Sequence, residues 1–390
     1  MNNDLLAATV TWAEIDVDAI SNNVSAYRGH VGPRVEIIAV VKANAYGHGA
    51  AQVGRVALES GATRLAVHRL AEGIQLRQAG IKASILVMGY TPPGGARLIL
   101  EWRLTSSITT WEFAQVLSDQ AVGLGMRAPV HVKVDTGMNR YGLLSSEAVG
   151  FISELHKLQG IEIEGLFTHF ATADWEEPFY IHQQLAEFNG LLGSIRNEGI
   201  DIPIIHAANS AAAMHYPEAH YSAIRPGVAL YGLEPSSEWH PPFEIYPALS
   251  LKSRISRLHT VKAGEGIGYG HTYVAQNSIV AALVPVGYGD GYHRVLSNKG
   301  CVLVRGQRAP IIGRVSMDQL VVDVSRIGGI QLNDEVVLIG MQGGERIRAE
   351  EVASLAGTIN YEVTTSLLPR VLRVYRKGGE IVEIASIAET

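Results

Sequence analysis

Between residues 35 and 233, short apolar runs alternate with amphipathic stretches, and this alternation limits the possible folds more than any other feature. The first run, residues 36–42, is rich in Val and Ile and lacks the polar alternation of a half-exposed strand. Such a run is typical of a parallel strand that is buried on both faces. The eight predicted strands are residues 36–42, 64–68, 84–88, 104–108, 130–134, 164–168, 203–206 and 228–231.

Helical patterns separate these strands, and eight strands alternating with helices predict an α/β fold of the (β/α)₈ TIM-like barrel type. An open, doubly wound sheet is the alternative. No GxGxxG motif follows the first predicted strand, and the count of eight favours the barrel.

The pattern changes across residues 235–247, which contain four prolines. Beyond them, segments of alternating hydrophobicity such as 249–255 and 319–324 are separated by Gly, Asn and Asp turns. This pattern predicts an all-β domain. The predicted domains are therefore a barrel over 12–240 and a β domain over 241–390, with residues 1–16 as a candidate additional strand of the second domain.

Composition excludes several classes of partner. The formal net charge is −6 and no Lys/Arg-rich run is present, so neither a nucleic-acid nor an anionic-membrane surface is expected. The single cysteine, Cys301, cannot form an intramolecular disulfide, which fits a reducing compartment. No basic, apolar leader opens the chain and no apolar run reaches the roughly 18 residues of a membrane helix, so we expect a cytoplasmic protein.

Lys42 ends the first predicted strand, and functional side chains of such barrels gather where strands end. Desolvation in a partly dry pocket disfavours the ammonium form and favours an amine that can attack a carbonyl group. A solvent-facing lysine at the end of a strand is the alternative interpretation.

A phosphate site is predicted near strands seven and eight. Ser210, Gly227 and the amide of Val228 lie where a helix amino terminus or a glycine turn offers free backbone N–H groups. A plain helix cap is the alternative for Asn209 and Ser210. A lysine opposite a phosphate site suggests pyridoxal phosphate, held by its phosphate and bonded through its aldehyde to Lys42.

Residues 39–49 resemble the cofactor-lysine signature of the alanine racemase family. The resemblance extends from residue 12 to residue 363. Further matching motifs follow in order at 135–142, 168–170, 208–210, 225–227, 268–270, 287–291, 314–318 and 361–362. It implies a barrel that binds pyridoxal phosphate, a β domain, and a homodimer with shared active sites. It also implies interconversion of L-alanine and D-alanine, which supplies D-alanine for peptidoglycan.

Racemisation removes the α-proton from one face and returns a proton to the other, so two acid–base groups must flank the cofactor. The resemblance implies that these are Lys42 and Tyr269 of the partner subunit. It places Arg225 at the pyridine nitrogen, with His169 as its hydrogen-bond partner. Because arginine keeps its proton, it can only donate a hydrogen bond to an unprotonated ring nitrogen. The resulting weak electron sink limits side reactions.

The resemblance implies roles for other residues. Arg140 is expected to donate to the phenolic oxygen of the cofactor and to orient the substrate carboxylate. The backbone amide of Met317 is expected to bind that carboxylate in the partner's site. Tyr46 and Tyr361 are expected to reach the phosphate. The residues expected to line the entry channel are Tyr288, Asp318 and Tyr361.

Lys133 is often carbamylated in the family, which turns a cation beside the arginine into an anion, and the sequence leaves both forms open. Ser316 departs from the family pattern, which has a cysteine there; the change concerns the channel wall. Three histidines, His206, His215 and His220, lie close together in the sequence. They lack a carboxylate partner and short HxxxH spacing, so no metal site is predicted.

Three alternative functions are considered. A barrel decarboxylase for basic amino acids would need a glutamate at the pyridine nitrogen, whereas 225–227 reads Arg-Pro-Gly. A serine or broad-specificity racemase would use the same catalytic residues, and only the size of the pocket would differ. A non-catalytic protein that carries pyridoxal phosphate would have no need of the glycine–tyrosine–glycine motif at 268–270.

Overall fold

The computed structural model describes residues 2–385. Met1 and residues 386–390, which belong to the predicted strand 1–16 and the predicted domain 241–390, lie outside the described residues. The chain divides into two compact units. The barrel unit comprises Ile20–Ala45 and Ala50–Tyr246, and the other unit comprises the described residues up to Ala19, Tyr46–Gly49 and the chain from Pro247 onward.

Eight parallel strands close into a barrel, which confirms the predicted fold class. Each strand pairs with the next along the chain, and the eighth pairs with the first through Ala223 opposite Glu36. The strands are Glu36–Val40, Arg64–Val67, Ser84–Val87, Thr105–Ile108, Ala128–Asp135, Ile161–Phe167, Ile204–His206 and Ala223–Ile224.

Burial explains the apolar runs of these strands. In the first strand, Ile37, Ile38 and Ala39 have no exposed surface, as expected where helices cover one face and the barrel interior the other. The α-helices that begin before or lie within this part of the chain are Val17–Val31, Ala50–Glu59, Leu70–Gln78, Ala96–Glu101, Trp111–Gly123, Ser145–Leu155, Phe179–Asn197 and Ser210–His215.

The predicted position of the eighth strand, 228–231, is wrong. The strand is Ala223–Ile224, and Val228–Tyr231 form a 3₁₀ turn. Pro226 still accepts a hydrogen bond at its carbonyl from the Val40 N–H (3.0 Å), but proline has no N–H with which to continue the ladder. Strand pairing therefore ends at Pro226, before the apolar run at 228–231 begins.

The second unit is rich in β-structure. Its eight-stranded sheet contains the amino-terminal strand Thr11–Asp16, which lies antiparallel to Leu249–Arg254 and parallel to Leu372–Lys377. Leu249–Arg254 alternates buried and half-buried residues, as expected for a sheet with one covered face. The other strands of this sheet are Cys301–Val304, Gln307–Pro310, Glu335–Gln342, Glu345–Ile347 and Glu380–Ala385.

Smaller elements complete this unit. A three-stranded sheet is formed by Arg257–Val261, Ile279–Val284 and Leu320–Asp323, and a two-stranded one by Gly266–Ile267 and Tyr273–Val274. Helices, which the strand pattern does not predict, lie at Asn2–Ala8, Ala349–Ala356 and Asn360–Thr365. Within residues 2–385, no helix combines the length and the apolar character needed to cross a membrane.

Candidate active site

Lys42 lies two residues after the end of the first barrel strand, Glu36–Val40, and its side chain is partly buried. Burial lowers the pKa of its amine, and the positive charges of Arg140 and Arg225 lower it further, against an opposing effect of Glu72. A neutral amine is therefore more accessible than on an exposed lysine. Such an amine can attack a carbonyl carbon or accept a proton.

The four residues after the lysine form a left-handed helical turn, because φ lies between 50° and 53° throughout 43–46. Non-glycine residues in this conformation cost roughly 1–2 kcal/mol each. A carboxylate holds the turn: one oxygen of Glu72 accepts the N–H of Ala43 at 2.6 Å. Its other oxygen accepts the N–H groups of His68 and Arg69, both at 2.8 Å. Glu72 thus links the turn to the start of a neighbouring helix.

Arg225 follows the eighth strand and is almost completely buried. Its Nη1 donates to His206 Nδ1 at 2.7 Å. Its Nη2 donates to the carbonyls of Thr168 (2.7 Å) and Ala207 (3.0 Å) and lies 3.2 Å from His169 Nδ1. Burial lowers the pKa of Arg225 to about 9, so the guanidinium remains a cation at neutral pH.

Lys133 lies within the fifth strand, with its Nζ 4.9 Å from the ring centroid of Tyr141. Burial lowers the pKa of Lys133 to about 8, and the charges of Arg225 and Arg140 contribute to the shift. Its amine is therefore partly neutral at slightly alkaline pH, which is the form that reacts with electrophiles.

Asp135 shapes the loop that carries Arg140. Its carboxylate accepts the backbone N–H groups of Gly137 (2.9 Å), Asn139 (3.0 Å) and Arg140 (2.9 Å). Burial raises the pKa of Asp135, but these backbone hydrogen bonds outweigh it, and the net pKa is lowered. The ionised carboxylate fixes the backbone from which the Arg140 side chain extends.

Two of the predicted phosphate residues, Ser210 and Gly227, connect the segments that follow the seventh strand and the eighth strand. Asn209 Oδ1 accepts the Ala212 N–H at 2.9 Å, which is the arrangement of a plain helix cap. The hydroxyl of the buried Ser210 accepts the Gly227 N–H at 2.8 Å. Val228, the next residue, starts the 3₁₀ turn. These four candidate residues therefore lie along two joined segments of the barrel.

The charges at this end of the barrel fit pyridoxal phosphate. Four cations, Lys42, Lys133, Arg140 and Arg225, act on one another strongly enough to lower the pKa of both lysines. Asp135 is the one carboxylate among the groups that raise the pKa of Lys133. A phosphorylated, phenolic cofactor would supply the negative charge that such a cluster favours.

The second unit carries other predicted residues, and three of them are well exposed. Tyr269 is 73% exposed in a 3₁₀ turn, between Gly268 and Gly270, which have φ values of 70° and 71°. Met317 is 53% exposed and Tyr288 is 40% exposed. These three side chains are therefore open to solvent in the single chain.

Asp318 forms an ion pair with Arg370 Nη1 at 2.8 Å, and the Nε of Arg370 lies 2.7 Å from Asp290. Tyr46 and Tyr361 also lie together, with ring centroids 6.2 Å apart. Burial raises the pKa of Tyr46, and Tyr361 adds to the shift. Both tyrosines therefore belong to one cluster of this unit.

The three histidines are separate. His206 is completely buried beside Arg225, His220 Nε2 lies 2.8 Å from the Ala213 carbonyl, and the His215 ring packs against Trp239 with centroids 4.0 Å apart. In the described part of the chain, His, Cys, Asp and Glu side chains form no group of three able to hold a metal ion.

Several residues of this region were not singled out from the sequence. Glu72 holds the turn after Lys42, and His131, Glu164 and Arg64 continue the hydrogen bonds of Arg225 into the barrel. For the three strand residues, Arg64, His131 and Glu164, the available signal was their polarity, because charged and histidine side chains are unusual in buried parallel strands.

Family models and related proteins match this chain along almost its whole length. The family models for the alanine racemase N-terminal and C-terminal domains match residues 15–235 and 248–375. The alanine racemase of Desulforamulus reducens is 46% identical over 366 residues, which cover 93% of this chain and 98% of that relative.

Solved structures of racemases also match the fold of this chain. An alanine racemase structure from Clostridium difficile 630 has a TM-score of 0.94 at 39% identity and covers 97% of this chain and 99% of its own. A histidine racemase from Leuconostoc mesenteroides has a TM-score of 0.88 at 31% identity and covers 94% and 98%. The matched models, the identity over the full length and the barrel with its β-rich second unit lead to one conclusion: the chain belongs to the alanine racemase family and is an isomerase of that family.

Proposed function

We propose that this enzyme uses pyridoxal phosphate to interconvert L-alanine and D-alanine by a two-base mechanism. The observation that carries the proposal is the environment of Lys42. Its amine is partly buried at the end of the first strand, and both burial and the charges of Arg140 and Arg225 lower its pKa. A lysine of this kind is suited to bond an aldehyde and to exchange a proton.

In this mechanism, Lys42 moves the α-proton on one face of the substrate and the hydroxyl of Tyr269 of the partner subunit moves it on the other. When bound, the cofactor ring supplies an electron sink for the charge left at Cα. Arg225 would bind the ring nitrogen through a donated hydrogen bond and would retain its own proton. This arrangement would keep charge near Cα and favour reprotonation over side reactions.

The remaining assignments concern binding. Arg140, on the loop fixed by Asp135, would bind the phenolic oxygen and orient the substrate carboxylate. Met317, Tyr288 and Asp318 would contact the substrate or line its entry. The residues proposed to hold the cofactor are Lys42, Tyr46, Arg140, His169, Asn209, Ser210, Arg225, Gly227, Val228 and Tyr361.

The proposed assembly is a homodimer with shared active sites. The exposure of Tyr269 and Met317 supports it, because both are large and both are assigned to a substrate site. The proposed setting is the cytoplasm, where D-alanine would serve peptidoglycan synthesis. Neither nucleic acid nor membrane is a proposed partner.

Reduction with borohydride tests the cofactor assignment. The purified protein, loaded with pyridoxal phosphate, is reduced, digested and analysed by mass spectrometry. We expect the pyridoxyl group on Lys42, and Lys42→Ala should remove both the adduct and the racemisation of L-alanine. An adduct on Lys133 in the wild-type protein would overturn the assignment of Lys42.

A serine or broad-specificity racemase is a second candidate, and the structural match to a histidine racemase shows why substrate range needs its own test. L-alanine, L-serine, L-lysine and L-histidine should be compared in parallel. We expect L-alanine to have the highest kcat/KM. Release of CO₂ from L-lysine would favour a decarboxylase instead, and bound cofactor without any turnover would favour a carrier protein.

A further inference from the structure

A row of hydrogen bonds crosses the barrel interior from Arg225 toward the amino ends of the strands. Arg225 Nη1 lies 2.7 Å from His206 Nδ1, and His206 Nε2 lies 2.7 Å from His131 Nδ1. His131 Nε2 lies 3.2 Å from Glu164 Oε2, and Glu164 Oε1 accepts from Arg64 Nη1 at 2.7 Å. Arg64 is the first residue of its strand, so the row extends away from the carboxyl-end site.

The chemistry of the two ends fixes every proton between them. Arginine can only donate, so Nδ1 of His206 must accept and its Nε2 must carry the hydrogen. Nδ1 of His131 then has to accept, and the Nε2–H of His131 donates to Glu164. An ionised carboxylate can only accept, so it is the partner that this direction requires. Both imidazoles are consequently neutral Nε2–H tautomers.

The barrel is shaped to hold these rings. His131 and His206 are 1% and 0% exposed, and burial lowers the pKa of both imidazoles, which agrees with neutral rings. A Cβ at Gly165 would lie 2.4 Å from His131 Nδ1, so only glycine leaves room for the ring there. The His206 ring stacks on Phe167, with centroids 4.8 Å apart and planes within 6°.

Glu164 is the charged end of the row. Burial raises the pKa of Glu164, but hydrogen bonds from His131 and Arg64 outweigh it and lower the pKa to about 2. The carboxylate is therefore ionised at any working pH. Arg64 is held in turn by Glu36, with its Nε 2.9 Å from Glu36 Oε2. An ion pair at the far end of the barrel thus anchors the last acceptor.

We propose that Glu164 is a positioning residue for Arg225: acting through His131 and His206, it fixes the tautomers of both rings and the orientation of the guanidinium. The carbonyls of Thr168 and Ala207 hold Nη2, and the histidine row holds Nη1. The consequence for turnover rests on the proposed function, in which Arg225 binds the cofactor nitrogen.

The tautomers can be measured without any assay of activity. In protein labelled with ¹⁵N-histidine, long-range ¹H–¹⁵N spectra distinguish protonated from unprotonated ring nitrogens, and His131→Gln and His206→Gln variants assign the signals. We expect both rings to be neutral with hydrogen on Nε2 between pH 6 and pH 7.5, where Arg225 is a cation. Hydrogen on Nδ1 of either ring, or a doubly protonated ring, would overturn the proposal.

Variants of Glu164 test the positioning role. Glu164→Leu removes the acceptor, while Glu164→Gln keeps an acceptor oxygen without the charge. We expect Glu164→Leu to move the ring nitrogen signals of His206 and to lower kcat by ~10-fold with little change in KM, the scale typical of lost outer contacts. Glu164→Gln should show smaller changes in the same direction.

The matched control is Glu162→Leu, since Glu162 is an exposed glutamate on the same strand. It should leave the His206 signals and kcat unchanged. A Glu164→Leu protein that has a lowered Tm but wild-type His206 signals and kcat would assign Glu164 a structural role only and refute the proposal. If the wild-type protein racemises no alanine, the proposed function fails, while the histidine spectra still decide the tautomers.

Discussion

Lys42 and Lys133 have similar electrostatic surroundings but lie at different positions in the barrel unit. For both, burial is the largest cause of a lowered pKa, and both are influenced by Arg140 and Arg225. Lys42 stands at the start of a rigid left-handed turn, whereas Lys133 lies within a strand, over the ring of Tyr141. In the proposed function Lys42 bonds the cofactor, and Lys133 would then be free to react with a smaller electrophile such as CO₂.

We predict that Lys133 is carbamylated. Because the pKa of Lys133 is lowered to about 8, its neutral, reactive form increases as the pH rises through that value and is scarce at pH 6. Protein incubated with ¹³C-bicarbonate at pH 8.5 should show a carbamate ¹³C signal that is much weaker at pH 6.

The control for this prediction is Lys133→Gln, which should lack the signal but keep the borohydride adduct on Lys42. A wild-type protein with no carbamate signal at either pH would refute the modification. In that case Lys133 would act as an additional cation of the site.

Residues that lie within a recognisable motif could be predicted from the sequence. Residues whose role depends on contacts inside the closed barrel could not. Arg225 was predicted from its Arg-Pro-Gly motif and its family resemblance. Glu164 and His131 were missed, because their importance depends on which side chains meet inside the barrel. For His206 the sequence predicted only that it forms no metal site with two nearby histidines. Its contact with Arg225 depends on the direction of its ring, which proximity in the sequence does not indicate.

At the scale of elements, the turn after the first strand is the most unusual feature. Ala43 and Ala45 have φ values of 50° and 53°, a conformation that alanine rarely adopts. Three hydrogen bonds help to hold the turn: Ala43 N–H donates to Glu72, Ala45 N–H donates to the Val41 carbonyl at 2.9 Å, and Ala50 N–H donates to Asn44 Oδ1 at 2.9 Å. These hydrogen bonds keep the backbone next to Lys42 in one conformation in spite of its strain.

We predict that Ala43→Gly stabilises the folded protein. Ala43 is exposed, so glycine loses little packing there, and it adopts positive φ without the Cβ penalty. The free energy of unfolding should rise by up to ~1 kcal/mol, measured by chemical denaturation.

The matched control is Ala186→Gly, at an exposed position in the middle of the helix Phe179–Asn197, which should lower the free energy of unfolding by ~0.5–1 kcal/mol. Equal destabilisation by both substitutions would show that the turn is not strained. Glu72→Ala should also destabilise the protein, because three backbone N–H groups lose their acceptor.

Element boundaries were predictable from hydrophobic pattern except where local chemistry intervenes. Seven of the barrel strands lie at or near the apolar runs, but the eighth precedes its run because Pro226 ends the pairing. The left-handed turn at 43–46 could not be predicted from the sequence either. Glycine and asparagine are the residues that normally mark positive φ, and only Asn44 of the four is one of them.

At the scale of the whole molecule, the residues predicted to take part in catalysis are divided between the two units. Lys42 and Arg225 belong to the barrel unit, and Tyr269 belongs to the second unit, where it is 73% exposed. The proposed mechanism assigns the second face of the substrate to Tyr269 of the partner subunit, so it predicts an assembly in which this tyrosine reaches Lys42 of the other chain. A C₂ dimer would supply two such sites, each with one residue from each chain.

Purified heterodimers test this arrangement. Chains carrying Lys42→Ala or Tyr269→Phe are given different affinity tags, expressed together and isolated as mixed dimers loaded with pyridoxal phosphate. If each site combines Lys42 of one chain with Tyr269 of the partner subunit, one site loses both residues and the other is intact. The mixed dimer should then have about half the wild-type kcat, although both parent homodimers are inactive.

The control pairs the Lys42→Ala chain with a chain that carries both substitutions. This dimer has no site with an intact lysine, so it should be inactive under either arrangement. A test heterodimer as inactive as this control would mean that both residues act within one chain. A Tyr269→Phe homodimer that retains the wild-type rate would instead remove Tyr269 from the mechanism, because its hydroxyl is the group assigned to the second face.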